Sequence, residues 1–144
     1  MVQIKRVYDA RRPTDGARIL VERLWPRGLR KEAVAADRWM KEVAPSTELR
    51  RWFGHREERW EDFRNRYRAE LDAHAEAWRT LLDASKEGPV TLLYSAHDPA
   101  HNSAAVLRDY LTERSRRRRA ARSTARARHV PQRRGRGGPG RRAT

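Results

Sequence analysis

Residues 90–94, "VTLLY", carry no charge and no alternation of polar and apolar side chains. A strand made from them needs cover on both faces, as the strands of parallel sheets have. "RILVERLW" (18–25) raises the same demand, because Ile19, Leu20 and Val21 stand together. "IKRVYD" (4–9) is short and β-prone and leads into the turn-rich "ARRPTDG".

Helical patterns separate these strands. Leu29, Ala33, Ala36, Met40 and Val43 recur at spacings of three and four, which predicts a helix stopped by Pro45. Ser46 is an N-cap type with Glu48 behind it, so "STELRRWF" reads as a short helix closed by Gly54. In "EERWEDFRNRYRAELDAH", Trp60, Phe63, Tyr67 and Leu71 form one stripe, with Arg66 and Glu70 expected to pair on the opposite face. Another helix carries Trp78, Leu81 and Leu82 and ends at Gly88-Pro89. Beyond "SAHDP", Asp98 is expected to cap a helix starting at Pro99, with Leu107, Tyr110 and Leu111 on its core face. Three strands alternating with helices predict an α/β domain, a small mostly parallel sheet flanked by helices.

The charge of +15 from 34 basic and 19 acidic residues is unevenly spread. Thirteen arginines and no acidic residue lie from Arg114 onward, which leaves 21 basic against 19 acidic residues before that point. The expected organisation is therefore a domain over residues 1–113 and a disordered, Arg-rich tail over 114–144. The absence of cysteine removes disulfides, thiolate nucleophiles and Cys-based zinc sites. No apolar stretch approaches the roughly 20 residues of a membrane span and no signal-peptide h-region is visible, so the expectation is a cytoplasmic protein without membrane partners. No cofactor motif is evident, and the oligomeric state is not readable.

Four blocks, "RILVERLWPRGLRKE", "KEVAPSTELRRWFGH", "RWEDFRNRYRAEL" and "VTLLYSAHDPAHN", closely resemble the YeaO-like branch of domain-of-unknown-function family 488. The likeness covers about residues 2 to 112, leaves the tail outside, and implies a small α/β domain with no assigned reaction. Wider relatives often carry a Cys-His pair early in the last helix. Asn102 and Ser103 match those positions, and the YeaO-like branch often keeps a His at the second.

In open α/β sheets, ligands bind beyond the carboxyl ends of the strands. Arg23, Trp25, Arg27 and Gly28 come after one such end, and Tyr94, Ser95 and Asn102 lie at or after another. Two guanidiniums and a glycine suit a phosphate or carboxylate, and the amides from Asp98 to His101 offer a second place for an anion. The competing reading pairs Arg23 with Asp9 or Asp37, packs Trp25 under a helix and leaves Gly28 to shape a turn. His55 is the best general acid/base candidate among the five histidines, against a role closing the short helix. His97 and His101 have metal-like spacing, but a helix start falls between them and no metal site is expected.

Two functions are compatible with these features. One is an uncharacterised domain binding an anionic, phosphate- or nucleotide-like small molecule at the strand ends, its enzymatic status open. The other is association with nucleic acid through the tail, whose Arg116, Arg117, Arg118, Arg119, Arg133 and Arg134 suit phosphate contacts without sequence preference.

Overall fold

The computed structural model describes residues 1–128. In chain order the elements are β1 (Val2–Arg6), β2 (Ala17–Leu20), the one-turn α1 (Lys31–Val34), β3 (Arg38–Trp39), α2 (Thr47–Phe53), α3 (Trp60–Ala73), α4 (Ala75–Glu87), β4 (Val90–Tyr94) and α5 (Ser103–Arg128). The sheet is wholly parallel, in the order β1-β4-β2-β3. The α/β class is as expected, with a fourth strand added at the edge.

All five residues of β4 are buried, because it is central and flanked by β1 and β2. Ile4 and Ile19 lie opposite Leu92, and Leu20 lies opposite Leu93. The period of two sends Ile19, Val90, Leu92 and Tyr94 into one core with Phe53, Phe63, Tyr67, Leu71, Trp78, Leu81, Leu107 and Tyr110 from the helices. The stripe expected on α3 is the buried face of that helix, with Trp60 half-buried at its start.

The other sheet face has a smaller cluster, Val7, Leu20, Val34 and Leu93, walled by Trp25, Leu29, Ala36 and Trp39. Alongside it Arg18 is completely buried. Its Nη1 donates to Asp15 Oδ2 at 2.8 Å, Nε to Ala35 O at 3.1 Å, and Nη2 to Val34 O at 2.9 Å and Asp9 O at 3.3 Å. Lys5 adds a second cation 3.1 Å from Asp15. Burial would raise the Asp15 pKa, but the Arg12 amide and the Arg18 and Lys5 side chains outweigh it and hold the carboxyl at about 2. Gly16 lets this loop reach the sheet: its φ is +64°, and a Cβ there would lie 2.1 Å from Pro89 O.

Several local expectations are corrected. The apolar spacing over residues 29–43 does not make one helix. The chain forms α1, turns through the left-handed Ala35, adds β3 and makes a 3-10 turn at Lys41–Val43. Of the residues in that spacing, Met40 and Val43 are buried at the start and within the 3-10 turn, Leu29 and Ala36 wall the second sheet face, and Ala33 is exposed. Arg66 and Glu70 do not pair: Arg66 lies over the Trp52 ring, and Glu70 accepts from the Ser46 amide and hydroxyl. Asp98 caps only a turn, accepting from the Ala100 and His101 amides, while Asn102 Oδ1 caps α5 by accepting from Ala105 N at 2.8 Å. Pro99 is therefore outside the helix.

The chain divides into two units, Met1–Glu113 and Arg114–Thr144. Within the second, residues 114–128 are helical rather than disordered. Arg133 and Arg134 lie outside the described residues. No helix among the described residues is long and apolar enough to cross a membrane.

Candidate functional site

β2 and β4 run parallel, so the segments that leave them emerge at the same end of the sheet. After β2, Val21 N still bonds Leu93 O, and Glu22, Arg23 and Leu24 come next. After β4 come Ser95, Ala96, His97 and Asp98. Between them and the start of α5 lies a cleft of about 790 Å³, closed on another side by α2 with Arg50, Arg51, Phe53 and the following His55. Phe63 and Tyr94 supply apolar wall.

The cleft brings together five of the residues expected from sequence: Arg23, Tyr94, Ser95, Asn102 and His55. It does not include Trp25, Arg27 or Gly28. Trp25 turns to the opposite face of the sheet, donating its indole N–H to Leu29 O at 2.7 Å and meeting Trp39 edge-on at 5.3 Å. Arg27 and Gly28 are exposed on the loop beyond, with Gly28 at φ +77°.

Arg23 makes neither of the carboxylate pairs expected of it. Its Nε donates to Pro45 O at 3.0 Å and its Nη2 to Ala44 O at 3.2 Å, which ties the end of β2 to the segment entering α2. Asp37 instead accepts from the Arg18 amide at 2.8 Å and from Arg11 at 3.0 Å. The Arg18 amide is the main reason the Asp37 carboxyl is held below its ordinary pKa.

The end of β4, expected to receive an anion, receives one from the chain itself. Glu22 Oε1 accepts from Ser95 N at 2.6 Å, and both its oxygens lie 2.8 Å from Ser95 Oγ. The amides after Asp98 are likewise taken by Asp98, whose Oδ2 also lies 2.8 Å from His101 Nδ1. The bond with His101 is the largest influence lowering the Asp98 pKa. Asn102 is 4 % exposed and fully committed, its Nδ2 donating to Asp98 O and its Oδ1 capping α5. Both acidic groups of the cleft are thus engaged internally.

Arg50 and Arg51 are exposed and form no ion pair among the described residues. Sequence reasoning missed these two cations: "STELRRWF" is informative about capping, while the cleft they face depends on packing against β4 and α5. A signal is present nonetheless, since two adjacent arginines on a seven-residue helix leave at least one pointing away from the core.

His55 lines the cleft in a left-handed conformation, φ +58°, directly after Gly54 at +52°. Its ring meets Phe53 at 5.9 Å. Burial raises the Tyr94 phenol above its ordinary pKa, so it faces the cleft as a neutral hydroxyl. His97 and His101 diverge: His97 Nδ1 lies 3.5 Å from Arg6 Nη2, while His101 meets Asp98 and the edge of Trp60.

Compared with known families, residues 1–129 match the one described as the inactive DUF488-N3 subclade. The chain is 49% identical over 110 residues to the uncharacterized protein YeaO of Escherichia coli (strain K12), a span of 76% of this chain and 96% of that relative. It is 41% identical over 113 residues to the uncharacterized protein Rv3073c of Mycobacterium tuberculosis, 78% of this chain and 95% of that one. No solved structure matches the chain.

Proposed function

The chain belongs to the DUF488 family, in its YeaO-like branch, and on that footing we propose that its Met1–Glu113 unit binds an anionic small molecule, phosphate- or nucleotide-like, in the cleft beyond β2 and β4. The observation that carries this reading is the charge balance of the cleft. Arg50 and Arg51 face it without an ion pair among the described residues, while Glu22 and Asp98 are already engaged by Ser95, by backbone amides and by His101. A guanidinium pair offers bidentate, charge-assisted bonds to phosphate or carboxylate. Phe53, Phe63 and Tyr94 suit a ring beside that charge.

In this reading Arg23 positions rather than binds, since two of its donors hold the carbonyls of Ala44 and Pro45. His55 contributes a polar edge. Binding is favoured over catalysis because the residues matching the wider family's Cys-His pair are Asn102, which is spent on capping, and Ser103. The subclade's description as inactive supports the same preference.

Thermal unfolding of the full chain with AMP, ADP and inorganic phosphate tests the reading. A ligand that binds the native state raises Tm in a concentration-dependent way, and at 100 times Kd it adds about 2.7 kcal/mol. Arg50→Ala with Arg51→Ala is expected to weaken such binding at least about tenfold, since each lost charged hydrogen bond is worth about 1.5–3 kcal/mol. No rise in Tm with any of the three compounds, or an undiminished rise in the double variant, defeats the reading.

A further inference from the structure

The helical extension beyond Glu113 offers a second binding surface, independent of the cleft. Residues 114–128 contain eight arginines and no acidic residue. Arg116, Arg117, Arg119, Arg122, Arg126 and Arg128 are exposed or half-exposed and form no ion pair among the described residues. Because this segment is helical, its arginines have fixed phases. At 3.6 residues per turn, Arg119, Arg122 and Arg126 fall within roughly 60° of one another. Ala120, Ser123 and Ala127 fall on another side, with Arg116 the only cation among them.

We propose that this segment grips double-stranded nucleic acid, with Arg119, Arg122 and Arg126 laid along the phosphate backbone. From Arg119 to Arg126 the helix rises about 10.5 Å, close to the axial advance of three phosphates along one strand at about 3.4 Å each. The chemistry of the rest of the segment selects the partner. A membrane-surface helix needs bulky apolar side chains opposite its cations, and here the uncharged positions are only Ala, Ser and Thr. Single strands are held by stacking bases on aromatic rings, and residues 114–128 contain none. What remains is a dense cationic surface matched to a polyanion with one charge per about 1.7 Å of axis.

The helix itself gains from such a partner. Arg118, Arg122 and Arg126 stand at successive i, i+4 positions, and like charges at that spacing oppose helix formation. Phosphates between them remove the repulsion, so duplex binding and helicity reinforce each other. With 110 aligned residues covering 96% of the Escherichia coli relative, 34 of this chain's 144 residues fall outside that alignment. The family match nevertheless runs through residue 129, so it takes in the helical segment.

The test uses the full-length protein and a 20-base-pair DNA duplex across a salt series. The variant Arg119→Gln/Arg122→Gln/Arg126→Gln is set against Arg116→Gln/Arg117→Gln/Arg128→Gln, which loses the same charge at other phases. Gln keeps a helix propensity close to that of Arg, and circular dichroism confirms that both variants retain the wild-type helix content. The first triple is expected to lose at least about tenfold in duplex affinity at 100 mM salt and to flatten the log–log salt slope by about 2.7, for three phosphates at about 0.9 each. The second is expected to lose less than about threefold. Equal losses in the two triples overturn the proposal, as does binding of a 20-nucleotide single strand, or of phosphatidylserine vesicles, as tight as that of the duplex. Arg50→Ala/Arg51→Ala leaves duplex binding unchanged, which separates this surface from the cleft.

Discussion

The two faces of the sheet are held by different physics. On one face Ile19, Val90 and Leu92 meet an apolar layer from four helices. On the other, Leu20 and Leu93 share the space with Arg18, Asp15 and Lys5. The cover on each face explains the difference. Long helices satisfy their own backbone, so their buried side needs only hydrocarbon. The second face is covered by the loop before β2 and by α1, a single turn whose last carbonyls have no partner within the helix. Arg18 supplies donors to three carbonyls of this cover, those of Asp9, Val34 and Ala35, and Asp15 neutralises it. A charged residue inside a strand is thus the consequence of covering a sheet with irregular chain.

The sharpest way to break this comparison is to remove the arginine. Arg18→Met keeps much of the side-chain volume but leaves three carbonyls without its donors and Asp15 with only Lys5 and the Arg12 amide, and is expected to cost about 3–5 kcal/mol in urea unfolding, as for other broken buried ion pairs. Leu92→Ala on the helix-covered face is expected to cost about 2–5 kcal/mol through its cavity alone. A loss under about 1 kcal/mol for Arg18→Met shows that the second face is held by its apolar patch and that the ionic cluster is incidental.

Acid distinguishes the faces next. Asp15 titrates at about 2 in the folded protein against an ordinary 3.8. Its stabilisation is therefore complete above about pH 5 and disappears as pH falls through 3.8 toward 2, a loss of roughly 2 kcal/mol given that a tenfold change in proton affinity is worth about 1.4 kcal/mol. Leu92→Ala should keep the wild-type pH profile below pH 5, and Arg18→Met should flatten it. The same profile in wild type and Arg18→Met disconnects Asp15 from the arginine.

The smallest effect lies at the rim. Arg11 and Asp37 pair at 3.0 Å with side chains 49% and 42% exposed, so Arg11→Ala should cost less than about 1 kcal/mol. A larger loss extends the ionic cluster outward to this pair.

The helix-covered face is the more legible of the two in the sequence. Uninterrupted β4, the stripe Phe63–Tyr67–Leu71 and the cap–stop pair Ser46 and Gly54 are local patterns, and the structure has each of them. The second face depends on contacts that no window contains. Arg18 sits at the start of an apolar run and reads as its polar border until Asp15, Val34 and Ala35 close around it. β3 has two residues, too few to show a period, and the spacing of Leu29, Ala33 and Ala36 imitates a helix. At the cleft, strand-end logic identifies Arg23, Tyr94, Ser95 and Asn102. It gives no view of Glu22 reaching Ser95, a contact across 73 positions of chain, and so puts an anion site where the chain supplies its own carboxylate.

The strand order has a consequence for how the molecule comes into being. β4 is last among the strands in the chain yet stands between β1 and β2, so neither of those strands has its long neighbour until residue 94 has been made. During synthesis β1 and β2 must wait without their shared neighbour, and only the two-residue pairing of β2 with β3 can form before β4 is made. Closing a parallel pairing from Ala17 to Val90 spans a long loop, which slows folding. The pairings that complete the sheet on both β1 and β2 therefore wait for five uncharged residues near the end of the domain.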